Sequence, residues 1–88
     1  MKKELADTIG EKLSLPPETL GEIPLMEIRG NRSIVVENHR GILEYTEEAV
    51  KIAVRHGTVI VNGAELLIIS MSGRTLEIRG SIRSVELV

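Results

Sequence analysis

Two histidines are the first residues to test for chemistry. His39 is followed by Arg40-Gly41, and His56 stands between Arg55 and Gly57. An imidazole can move protons or bind a metal near neutral pH, but either role needs partners. Glu37, Glu44 or Glu65 would have to complete a metal site, and their spacing follows no ligand pattern. Ser72-Gly73 and Ser81 have no base close in sequence, and no nucleophile elbow, phosphate loop or paired-histidine helix motif occurs. No catalytic residue, cofactor or metal site is therefore expected, and the chain reads as a non-enzyme. Both imidazoles are expected at loop tips, donating to turn carbonyls.

The stretch VENHRGILEYT, residues 35–45, holds one of these histidines and Tyr45, the sole aromatic residue. Asn38 tolerates left-handed geometry and Gly41 has no Cβ penalty, so the segment is competent as a hairpin turn. His39 and Arg40 would then project, flanked by Glu37 and Glu44, as a polar rim suits a partner surface. Asn38, His39, Arg40 and Tyr45 are the candidate contact residues. A second set comes from an internal echo, EIRGNRSIVVE at Glu27–Glu37 and EIRGSIRSVEL at Glu77–Leu87. Were the two copies side by side, Arg29, Arg79 and Arg83 could hold an anion.

These residues must be positioned by a small aliphatic core. The chain has 88 residues with 11 Ile, 8 Val and 10 Leu, and neither Phe nor Trp. Two of those three types are stiff at χ1 and favour a pleated surface. From residue 23 onward, short apolar runs alternate with turn signals at Gly30-Asn31, His39-Arg40-Gly41, Thr46-Glu47, His56-Gly57, Asn62-Gly63, Ser72-Gly73 and Gly80-Ser81. Val50, Ile52 and Val54 oppose Lys51, Ala53 and Arg55 in the two-residue period of a strand. Asn62-Gly63 is the strongest hairpin signal, because that pair accepts the positive φ angles of a tight turn. Leu66–Ile69 is apolar on both faces, as a central strand or a subunit seam would be.

The expected fold is mainly β: a small antiparallel β-meander or two-layer β domain of about seven or eight short strands with a short N-terminal helix. Residues 1–22 form that helix and a Pro-containing connector, residues 23–88 form the β domain, and together they make a single structural domain. Leu5, Ile9 and Leu13 give the helix its apolar stripe, while Pro16, Pro17 and Pro24 mark the connector. Few helical residues remain to cover a second sheet face, so either the sheet forms two layers or a second copy buries its spare apolar face, and a homodimer is the expected partner state.

Charge and cysteine content narrow the partners. Residues 1–48 carry a net charge of −4 and residues 49–88 of +2, for an overall −2. With a pI near 5.7 and a single aromatic, the chain lacks the basic, base-stacking surface of a nucleic-acid binder. It has no cysteine, no signal-peptide pattern and no apolar run long enough to span a membrane, so a cytoplasmic location is expected.

VENHRGILEYTEEAVKIAVRHGTVIVNGAELLIISM, closing on LEIRGSIRSVEL, resembles the YabP/YqfC family of sporulation proteins of endospore-forming bacteria. Its most specific features are Glu37-Asn38-His39-Arg40-Gly41, Gly57, Gly63 and Gly80 followed by Ile82. The upstream LPPETLGEIPLMEIRGN fits as well, and the resemblance spans about residues 13–88. The N-terminal length and GILEYTEE look closer to the YqfC branch, whereas the aliphatic TVIV replaces a more polar strand. The resemblance implies a role in endospore formation, in the mother cell and at the forespore surface, with no settled activity. For the YqfC branch it also implies a membrane partner such as YqfD. An assembly or adaptor module is the function expected, and a ligand-binding β module for an anionic spore-envelope precursor is the alternative.

Overall fold

The computed structural model describes residues 23–88. The expected N-terminal helix and most of its connector lie outside the described residues. Six antiparallel strands follow in chain order: β1 (Leu25–Arg29), β2 (Ser33–Glu37), β3 (Ile42–Tyr45), β4 (Ala49–Val54), β5 (Gly57–Ser72) and β6 (Thr75–Leu87). They form one open sheet in the order β1-β2-β6-β5-β4-β3. The fold is mainly β, with six strands rather than seven or eight.

Two expected turns account for the difference. Asn62-Gly63 lies inside β5 and Gly80-Ser81 inside β6, and these positions face one another, with Gly63 paired to Ile82 and Ala64 to Ser81. Gly63 does not have a positive φ. A Cβ there would lie 2.0 Å from the Ser81 carbonyl oxygen, so glycine is required by the close approach of two backbones. At Gly80, with φ +150°, a Cβ would meet the Glu65 carbonyl oxygen at 2.7 Å. The glycines read as turn formers instead mark a crease in two long strands.

The crease is made by bulges. Pairing passes from Ala64↔Ser81 to Leu67↔Arg79, so Glu65 and Leu66 together oppose Gly80. Glu65 takes φ +53°, a left-handed value uncommon for a residue with a side chain. Arg83 is an extra residue on β6 and Ile69 an extra residue on β5. Bulges bend a strand and increase its twist, which lets strands of 16 and 13 residues turn a corner.

The crease divides the sheet into two limbs. One contains β1, β2, the first half of β6 and the second half of β5; the other contains β3, β4, the first half of β5 and the second half of β6. The link from Glu37 in β2 to Ile42 in β3 requires that the limbs fold together. β3 lies four places from β2 in the sheet. In a flat sheet that is about 19 Å. Five Cα steps reach at most about 18 Å when fully extended, and the left-handed Asn38 and Gly41 shorten this link further. A flat sheet could not be closed by it. The expected hairpin at residues 38–41 is instead a crossover between limbs.

Folding the sheet on itself makes the core. Ile34, Val36, Leu76 and Ile78 on one limb and Val50, Ile52, Val59 and Val61 on the other are fully buried, with Leu66 and Ile82 at the corner. These ten side chains form one apolar cluster, extended by Met26, Ile42, Val54, Ile68 and Val85. The two-residue alternation expected over Val50–Arg55 holds in β4: Val50 and Ile52 are buried and Val54 packs, partly buried, against the same core. The remaining tight turns fall where expected, at Gly30, Thr46, His56 and Gly73.

Candidate functional site

The crossover carries three of the candidate contact residues and is held from several sides. Asn38 Nδ2 donates to the Ile23 carbonyl at 2.8 Å, tying the start of the described chain to the link. The His39 N–H donates to the Arg74 carbonyl at 3.1 Å, and the Arg40 N–H to the Ala53 carbonyl at 2.7 Å. The link thus fastens the β5–β6 turn on one limb to the end of β4 on the other. His39 is buried rather than projecting. Its Nδ1 accepts from the Gly41 N–H at 3.1 Å, which places the proton of the neutral ring on Nε2. That Nε2 is buried without a hydrogen-bond partner among the described residues. Arg40 stays exposed.

Tyr45 lies at the other end of β3, so the four candidates do not form one patch. Its hydroxyl accepts from the Ile68 N–H at 2.9 Å and thereby crosses from one limb to the other. Next to it, the β3–β4 turn is organised by Thr46, whose Oγ1 accepts from the N–H groups of Glu48 and Ala49 at 3.2 and 2.9 Å. The turn carbonyls then serve the crease: Glu48 accepts from the Gly63 N–H at 3.0 Å and Glu47 from the Leu66 N–H at 2.8 Å. Tyr45, Thr46, Glu47, Glu65, Leu66 and Leu67 line a cleft of about 480 Å³.

The two EIRG echoes are in register with one strand between them. Arg29 and Arg79 both pair with Ser33, Ile28 and Ile78 with Ile34, and Glu27 and Glu77 with Val35. Each arginine is engaged by its own glutamate: Arg29 Nε lies 2.6 Å from Glu27 Oε2, and Arg79 Nε 3.5 Å from Glu77 Oε2. The bond from Glu27 raises the Arg29 pKa above its ordinary value, with Glu77 adding to the effect. Arg83 sits beyond the crease and does not join the row. Arg32 is the basic residue that shares a cleft with Arg79, about 500 Å³ lined also by Asn31, Glu65, Gly80 and Ser81. At the β4–β5 turn, exposed His56 accepts from Arg55 Nε at 3.2 Å. Among the described residues, no three of His, Cys, Asp and Glu converge as a metal site would require.

Creasing a sheet also multiplies its edges. β4 pairs with β5 only over Gly57–Asn62, and β2 pairs with β6 only over Thr75–Arg79. The far halves of both long strands consequently have one side with no neighbouring strand among the described residues, in addition to the outer sides of β1 and β3; on that side Glu47 and Tyr45 hold the Leu66 and Ile68 N–H groups of β5, and Asn31 holds the Ile82 N–H of β6. Three of the four edges carry ordinary protection against strand pairing. β1 follows Pro24 and bears Glu27 and Arg29; β3 is four residues long with Glu44; the far half of β6 bears Arg83 and Glu86. The far half of β5, LLIISMS, has no charge from Leu66 through Gly73. Leu67 and Met71 there are each 57% exposed and Ile69 is 37% exposed.

The YabP family model matches residues 24–88, which covers every strand of the sheet. The chain belongs to the YabP family. It is similar to a protein of Bacillus subtilis (strain 168) named "Uncharacterized protein YqfC", with 26% identity across 99% of this chain and 94% of that protein. No solved structure matches it significantly. The stretch that matches the YabP family thus includes the whole creased sheet with its crossover and edges. No helix among the described residues is long and apolar enough to cross a membrane.

Sequence reasoning marks Leu66–Ile69 only as apolar on both faces, and does not reveal that the strand's second half forms an edge. The signal is the unbroken uncharged run, but its meaning depends on Asn62-Gly63 being a crease. A turn there would make Ala64–Leu67 an ordinary hairpin strand.

Proposed function

We propose that this YabP-family protein is a non-enzymatic, self-associating assembly or adaptor module that acts in endospore formation in the mother cell. The observation that carries this reading is the exposed, charge-free second half of β5. Unprotected edges of this kind are templates for another strand. The family's place in sporulation supports the process, and a membrane partner of the YqfD kind is the binding companion we propose. Arg40 and Tyr45, exposed at opposite ends of β3, are available to such a partner while Leu67–Met71 serve self-association.

The anionic-precursor reading is weaker, because Glu27 and Glu77 neutralise the two arginines that share a row and Arg83 stands apart from them. The test is genetic. In a sporulating host, Leu67→Lys with Ile69→Lys should lower heat-resistant spore yield, and Arg40→Ala with Tyr45→Ala should lower it as well. Normal yield from both double variants, with the proteins present at wild-type level, would overturn the proposal.

A further inference from the structure

We infer that two copies pair antiparallel along the free edge of β5, about a two-fold axis that places Ile68 of one copy opposite Met71 of the other. This register rests on the proposed self-association and specifies how the two copies meet.

The register comes from the backbone. The Ile68 N–H points away from β6, since it bonds to the Tyr45 hydroxyl. Ser72 and Thr75 flank the two-residue Gly73-Arg74 turn, with Gly73 at φ +58°, as a hydrogen-bonded pair does in a tight hairpin. Met71, next to Ser72, therefore also directs its N–H and carbonyl outward. Between them the bulged Ile69 shifts the alternation by one residue, so Ile68 and Met71 share a face although their numbers differ in parity. A pairing that sets Ile68 against Met71 brings the outward-facing groups of both residues together at once and keeps like faces aligned, whereas setting either residue against its own copy leaves the other opposite a residue outside this outward pair.

Charge selects a second copy as the occupant. The uncharged run Leu66–Gly73 ends in Glu65 on one side and Arg74 on the other. Both are exposed, and neither has an ion-pair partner among the described residues. In the inferred register each copy's Glu65 faces the other's Arg74, twice over by symmetry. A strand that is its own complement when reversed is suited to a two-fold contact. Tyr45 is the gate, because its hydroxyl holds the Ile68 N–H that the Met71 carbonyl of the second copy would accept.

Light scattering of the full 88-residue chain over a concentration series tests this. The expected result is a dimer that Met71→Pro weakens at least about a hundredfold, since proline removes an outward N–H but no bond to β6. Glu65→Arg or Arg74→Glu alone should each weaken it roughly tenfold, and the two together should restore it. Tyr45→Phe should tighten it several-fold. Far-UV circular dichroism of each variant establishes that the sheet is retained. A dimer indifferent to Met71→Pro and to the charge reversals overturns this edge while leaving self-association standing. A monomer at every concentration overturns both.

Discussion

Replacing Gly63 by Ala tests the crease most directly. The new Cβ would lie 2.0 Å from the Ser81 carbonyl oxygen, 3.0 Å from its carbon and 3.2 Å from the Ile82 Cα. All three atoms are backbone, so no side chain can swing away. Relief requires β5 and β6 to part by more than about 1 Å, beyond what a ladder hydrogen bond tolerates. Two or three such bonds at about 1 kcal/mol each are lost. Ile82 and Leu66, both buried at the corner, must also shift, at about 1–3 kcal/mol for a displaced core contact. The total is about 3–6 kcal/mol. With a urea dependence of about 1 kcal/mol per molar for a domain this small, the unfolding midpoint should fall by at least about 3 M, followed by far-UV circular dichroism. Gly73→Ala is the control: nothing lies within 4 Å of its Cβ, and only its φ of +58° opposes the change. It should cost about 1 kcal/mol. Equal effects of the two substitutions would refute the crease, for they would mean that Gly63 is a turn glycine like Gly73.

Three further outcomes are expected from the packing. His39→Leu should change stability by less than about 1 kcal/mol, because it removes the unpartnered buried donor along with the Gly41 bond, whereas His39→Ala should cost about 2 kcal/mol through the space it leaves; thermal melts of the two compare them. Thr46→Ala should cost about 1 kcal/mol in urea unfolding, since its Oγ1 serves the amides of both Glu48 and Ala49. Ile52→Ala should cost about 2–5 kcal/mol and Leu67→Ala, measured at a concentration low enough to keep any dimer apart, about 0.5 kcal/mol or less, reflecting full burial against 57% exposure.

Alternation and turn chemistry carry the fold where each acts locally. The period of two in Val50–Arg55 marks the core face of β4, and Gly73 marks a real hairpin. They mislead at Asn62-Gly63 and Gly80-Ser81, where glycine is needed because two strands approach, a relation between residues 14 to 19 positions apart that a local pattern does not contain. The same blindness applies to His39, which has the neighbours of a turn-tip residue but is buried because the short link must cross between limbs. The EIRG echo is legible as a similarity, and the sheet explains its register: β1 and β6 both pair with β2.

One device therefore has two consequences. Among the described residues the aliphatic face is covered by the sheet itself, and the crease at Gly63 and Gly80 achieves this by stacking the limbs. The long strands lose their outer neighbours at that crease, so the first half of each is paired on both sides while the second half keeps only the other long strand and has no strand on its outer side. A flat six-stranded sheet has two edges; among the described residues this one has four. Three carry charge, and among the described residues the second half of β5 is the uncharged edge, capped by the Glu47 carbonyl at Leu66 and the Tyr45 hydroxyl at Ile68. The geometry that closes the core is also what leaves that edge available for another strand.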